Sequence, residues 1–139
     1  MSISDSVKTV LEADVTLMAL LTGGVYANGE ITKQATAAAF DANGEIKPCA
    51  LVNEGTELPI GPHIYGVQTA VVVYVYQREG FDVIEPASSR IYALLHYQKI
   101  GSKTWNVIYQ SKIKNQRDIA LDCPMIVSRY LAIQEREVS

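Results

Sequence analysis

The sequence predicts an α+β domain, a mainly antiparallel sheet with two helices packed on one face. Three observations predict it. The run Val71-Val72-Val73-Tyr74-Val75-Tyr76 contains only β-branched and aromatic residues, whose stiff χ1 angles suit a pleated strand better than a helix. Apolar residues recur at helical 3–4 spacing in two places, residues 4–21 and residues 84–98. The other strand-like runs are separated by Gly, Pro and Asn turns, with no βαβα alternation. At 139 residues the default is a single domain, 1–139, long enough to bury a core without staples.

Taken in order, Val7, Val10 and Leu11 form one helical stripe, and Leu17, Met18, Leu20 and Leu21 form a second. Asp14 reads as an N-cap that restarts the helix, its carboxylate accepting free N–H groups of the next turn. Gly23-Gly24 then stops it, and Val25-Tyr26 is a short strand. Residues 27–47 are an extended loop excursion marked by the turns Asn28-Gly29 and Asn43-Gly44, with about one helical turn near residues 36–40. One large apolar residue, Phe40, and a small-residue centre predict a segment with little core of its own. Such a segment should be mobile in an isolated subunit and ordered by a partner, with Phe40 as anchor.

Residues 49–53 read as a short apolar strand, and Gly55, Pro59, Gly61 and Pro62 as a turn-rich connection. The long strand that follows, residues 67–77, would span roughly 36 Å at about 3.3 Å per residue. Pro86 suits the first turn of the next helix, whose Ile84, Ala87, Ile91, Leu94 and Leu95 share a face, and Gly101 ends it. Trp105, Val107, Tyr109 and Ile113 alternate with Asn106, Gln110, Lys112 and Lys114, the pattern of a half-buried strand. The last strand covers residues 125–134 and is entered through Pro124.

The long strand is apolar on both faces. Val71, Val73 and Val75 point one way, Val72, Tyr74 and Tyr76 the other, and a chain this short is not expected to cover both. Only 19% of residues are charged while 48% are hydrophobic, and the mean hydropathy is +0.07. Both facts predict a homo-oligomer, with Phe40, Val71, Val73, Tyr74, Val75 and Tyr76 as interface candidates. A net charge of -3 and a pI near 5.3 argue against tightly held duplex DNA. The basic residues Lys112, Lys114 and Arg117 allow only a weak, salt-sensitive DNA contact.

Cys49 and Cys123 are far apart and lack a CxxC spacing, which reads as two buried free thiols in a reducing compartment. No apolar run approaches the roughly 20 residues that cross a bilayer, so no membrane partner is expected. Neither His63 nor His96 sits in an HExxH or a carboxylate–His grouping, and no phosphate-cradling glycine motif or GxSxG elbow occurs. No catalytic residue, cofactor or metal is therefore expected, and the chain reads as a non-enzyme.

The layout carries a resemblance. Ala13-Asp14 followed by Leu17-Met18-Ala19-Leu20-Leu21 runs into Gly24-Val25-Tyr26, and Ile46-Lys47-Pro48-Cys49-Ala50-Leu51-Val52 precedes the long strand. Arg90-Ile91-Tyr92-Ala93-Leu94-Leu95 and two closing strands follow, with Asp122-Cys123-Pro124 before the last. In this order the chain resembles the tail terminator (tail-completion) family of long-tailed bacteriophages. The resemblance implies a structural virion protein of the tail and neck, assembled in the host cytoplasm. It implies a hexameric ring that caps the tail tube protein and offers a docking face to a head-completion or stopper protein. DNA would pass through such a ring without specific binding. Alternatives are another head–tail joining or stopper protein of the neck, or a small oligomeric α+β ligand-binding module or enzyme.

Overall fold

A computed structural model describes residues 2–60 and 63–135, with the side chains of all these but residues 63–65. The elements in chain order are α1 (Ile3–Glu12), α2 (Val15–Leu20), β1 (Val25–Ala27), a 3-10 turn (Ala37–Ala39), β2 (Cys49–Ile60) and β3 (His63–Tyr76). They continue with α3 (Ile84–Leu95), β4 (Thr104–Asp118) and β5 (Cys123–Glu135). The sheet order is β1-β2-β3-β5-β4. β1 pairs parallel with β2, and the other three pairings are antiparallel. An α+β description fits, with three helices in place of the expected two, because Asp14 cuts the first helical stretch into separate pieces.

Asp14 does more than cap. Its Oδ2 accepts the Leu17 N–H at 2.9 Å, and Arg90 of α3 grips both carboxylate oxygens, Nε to Oδ2 at 2.9 Å and Nη2 to Oδ1 at 2.7 Å. One carboxylate thus starts α2 and ties it to α3. The start of α3 is solved differently. Val83, at its N-cap, has no capping side chain, and Gln77 at the end of the long strand supplies the acceptor instead. Its Oε1 takes the N–H groups of Val83 and Ile84 at 2.9 Å each, while its Nε2 donates to Glu79 O and Asp82 Oδ1. A buried amide whose donors and acceptor are all used costs little to desolvate.

β3 lies mid-sheet, with Val73 opposite Val52 on one side and Ser128 on the other. Val71, Val73 and Val75 have no exposed surface and share one core with Val7, Leu11, Leu17, Ile84, Ile91 and Leu95. The expectation that a second subunit must cover this face is therefore corrected: the chain's own three helices cover it, and these valines are core residues of the single subunit. Tyr74 and Tyr76 face the other way.

That second face is covered, at one end, by the excursion. Ile31, Ala39 and Ile46 form a second core with Cys49, Leu51, Tyr76 and Cys123, against which Phe40, Tyr74 and Met125 pack. The expectation of a segment without its own core is thus overturned, and topology supplies the reason. Parallel neighbours such as β1 and β2 need a crossover rather than a tight turn, and the crossover must lie over one face of the sheet. Helices occupy the first face, so residues 28–48 cross the second. Gly23-Gly24 admits this path: a Cβ on Gly23 would come within 2.9 Å of Pro48 O, and Gly24 has φ +93°. Inside the excursion Phe40 bridges Ile46, and Lys47 N–H reaches Ala39 O at 2.8 Å.

Two further expectations fail locally. The region of Gly55 and Pro59 is strand, not turn; Gly61 and Pro62 lie outside the described residues. Proline is tolerated there because β2 is an edge beyond β1, and Gly55 falls in a register shift between Glu54 and Glu57. In β4, register shifts at residues 104–106, 109–111 and 113–116 break the simple alternation. Val107 stays buried while Trp105 and Ile113 are 54% and 52% exposed.

Phe40→Ala should lower the stability of the isolated subunit by about 2 kcal/mol, below the roughly 3–5 kcal/mol of a fully buried phenylalanine, because the ring is half-covered. A denaturant titration reads it, and an unchanged midpoint would place Phe40 outside the second core. The Asp14–Arg90 clamp predicts a pH signature. The Arg90 guanidinium holds the Asp14 carboxyl at about 2 against an ordinary 3.8. A depressed carboxyl stabilises the fold above its unfolded pKa, and that contribution disappears as pH falls through the folded one. The melting-temperature gap between the native protein and Asp14→Asn should therefore be full above pH 3.8 and close towards pH 2. A gap independent of pH would mean the cap, not the charge, does the work.

Candidate functional site

An open cleft of about 950 Å³ lies between the excursion and the β4–β5 turn. Tyr74 and Tyr76 floor it, their rings nearly parallel with centroids 6.4 Å apart, and Phe40, Ile46 and Leu51 line one side. Glu30, Glu45, Asp118 and Asp122 line the cleft against only two cations, Lys33 and Arg78, so the rim is acidic. Burial, with Asp118 next in effect, pushes the Tyr76 phenol well above its ordinary value, so it stays protonated and can donate a hydrogen bond. An aromatic floor under an acidic rim suits an apolar side chain flanked by basic ones. Of the interface candidates read from the sequence, Phe40, Tyr74 and Tyr76 meet at this cleft, while Val71, Val73 and Val75 lie under the helices on the opposite face.

The three basic residues expected to touch DNA do not form one free patch. Lys114 Nζ meets Glu85 Oε1 at 2.9 Å, and Arg117 Nη2 meets Asp122 Oδ1 at 2.9 Å. Lys112 is lowered from its ordinary pKa by partial burial and then by Lys114. His96 joins a surface aromatic group with Tyr92, Tyr97 and Tyr109, and its Nδ1 accepts the Tyr109 N–H at 3.1 Å. Among the described residues, no group of three His, Cys, Asp or Glu side chains could hold a metal ion, and no helix is long and apolar enough to cross a membrane.

Sequence reading missed the cleft because its walls come from four separated stretches. The one available signal was the spacing of Tyr74 and Tyr76, which share a strand face.

No family model matches the chain, and no curated protein matches it. Among solved structures, a chain of the virion of a native gene transfer agent particle has the same fold. The match has a TM-score of 0.68 at 19% identity and covers 95% of this chain and 93% of that one. At that identity the likeness is one of fold.

The thiols beneath the cleft give a direct test of its packing. Both are free and buried, as the sequence reading expected, and burial raises Cys49 to about 12 and Cys123 to about 11. Since the thiolate is the reacting form, neither should label with a maleimide at mildly alkaline pH while the protein is folded. Both should label together on unfolding. Fast labelling of Cys123 in the folded protein would mean that the β4–β5 turn opens independently of the core.

Proposed function

We propose that this chain is a non-enzymatic structural protein of a phage-like virion, a tail terminator. It forms a hexameric ring that ends the tail tube and presents a docking face to a head-completion or stopper protein. The fold shared over nearly the whole of both chains with a component of a gene transfer agent virion carries this reading. The terminator position within the virion rests on the sequence layout, above all the Asp14-capped helix running into Gly24-Val25-Tyr26 and the 46–52 segment before the long strand.

Physical properties support the same role. A single subunit that completes its own core can be stored soluble and recruited to a tube late in assembly. The net charge of -3 suits a ring through which DNA slides, because a strongly basic lumen would hold phosphates. Pairing of Lys114 with Glu85 and Arg117 with Asp122 lowers the local positive field further. DNA passes the ring without a specific site.

Negative-stain microscopy of purified tails incubated with this protein tests the reading. Sixfold rings should sit at one end of each tube, with six copies per tail by mass. A protein that stays monomeric at high concentration and binds tails with another stoichiometry would remove it. Rings that bind filled capsids but never tubes would assign the chain to the neck as a stopper or joining protein instead.

A further inference from the structure

The sheet has two ends, and each is closed over only half its length. On the outer side of β2, β1 pairs with residues 50–52, and the Asn53 side chain holds Gly29 through Oδ1 at 3.1 Å and Nδ2 at 3.2 Å. Beyond that, no strand among the described residues pairs with the outer side of residues 54–60. β4 forms the other end. Tyr97 N–H bonds Val107 O at 2.7 Å and His96 Nδ1 takes the Tyr109 N–H, which closes the first half. Along residues 110–117 the outer side has no strand partner among the described residues; Gln116 Nε2 reaches Lys114 O at 3.3 Å. An unpaired edge of this length invites another chain.

The two free halves are chemically opposite. β2 carries Glu54 and Glu57 and no basic residue, while the free half of β4 carries Lys112, Lys114 and Arg117. They also agree face by face. Glu54 and Glu57 lie opposite Val71 and Thr69, on the helix-covered side of the sheet. Arg117 lies opposite Pro124, in alternation with the buried Ile126, and Lys114 reaches Glu85 of α3, so both are on that same side. On the other face Leu58 and Ile113 are 51% and 52% exposed apolar side chains, each on a free edge.

Resting on the ring reading above, we infer that neighbouring subunits join by strand addition. The free half of β4 in one copy pairs antiparallel with the free half of β2 in the next, so that one sheet continues around the ring. Direction supports it: three successive antiparallel pairings make β2 and β4 run oppositely within a subunit, and a rotation about an axis near the strand direction preserves that. A single antiparallel register then sets Ile113 opposite Leu58, Lys114 opposite Glu57 and Arg117 opposite Glu54. The same register brings the shift at residues 113–116 of β4 against the shift at residues 54–57 of β2, so the two irregularities accommodate each other. The exposed pairs of Lys114 with Glu85 and Arg117 with Asp122 are weak in water and yield readily to these partners. The free halves lie at opposite ends of the strands, which gives each step a stagger. Closed sheets accommodate stagger by tilting their strands. Contacts of this head-to-tail kind close into rings.

Cross-linking tests the pairing. Leu58→Cys chains mixed with Ile113→Cys chains and mildly oxidised should give a disulfide-linked pair that neither variant gives alone. The double variant should give a ladder ending at the ring. Lys114→Glu should weaken assembly roughly tenfold, and adding Glu57→Lys should restore most of the loss. Thermal melts check that each variant folds; if Lys114→Glu does not, the cysteine pair decides alone. Multimers that form by light scattering yet give neither cross-link nor rescue would overturn strand addition while leaving the ring standing. A chain that stays monomeric in solution and on tails would remove both.

Discussion

Everything in this subunit follows from the need to cover both faces of β3. A strand with valines on one side and tyrosines on the other cannot end a solvated sheet, and it must be sandwiched. The valine face sets the positions of all three helices, and the Asp14–Arg90 grip fixes α2 against α3 so that their apolar stripes meet the strand together. The tyrosine face sets the course of the excursion. With the helices on one side, the crossover between the parallel strands β1 and β2 takes the other side and brings Ile31, Ala39 and Ile46 down on Tyr76 and the two thiols. Gln77, the residue directly after the strand, then opens α3, so the end of β3 also decides where the next helix begins.

Much of this was legible in the sequence where the signal was local. The stiff run of residues 71–76, the Asp14 cap, the Gly23-Gly24 stop and the helical stripe of Ile84, Ala87, Ile91 and Leu95 all correspond to elements of the fold. What failed depended on distant partners. Ile31, Ala39 and Ile46 have no periodicity, and their grouping exists only because the crossover returns them to one place. Gly55 and Pro59 look like punctuation along the chain, yet an edge strand with a register shift accepts both. Three register shifts in β4 moved Trp105 and Ile113 away from the buried side of Val107, and no alternation rule sees a bulge before the pairing is known.

The candidate site was legible only in part, for the same reason. Tyr74 and Tyr76 could be put on one face from their spacing, but the cleft above them is a product of the crossover and the β4–β5 turn. The basic residues of β4 were visible as a group; their carboxylate partners, Glu85 and Asp122, were not. A chain complete in its own core changes what the proposed assembly has to supply. In the proposed ring, neighbours need not bury the valines, and they are left with edges and an aromatic cleft, which suits parts that fold separately and join late. Low charge then reflects two cores in a small chain as much as any interface.

One chain by itself covers the valine face of β3 and the Tyr76 end of the opposite face. Hydrogen exchange followed by mass spectrometry, on dilute monomer and on assembled protein, tests it most directly. Amides of β3 and of the strands beside it should be protected up to the limit of global unfolding already in the monomer, while the outward amides of residues 54–60 and 110–117 exchange fast and gain protection on assembly. Rapid exchange through residues 71–76 in the monomer, slowed only in the assembly, would contradict the account and return the cover of β3 to a neighbouring subunit.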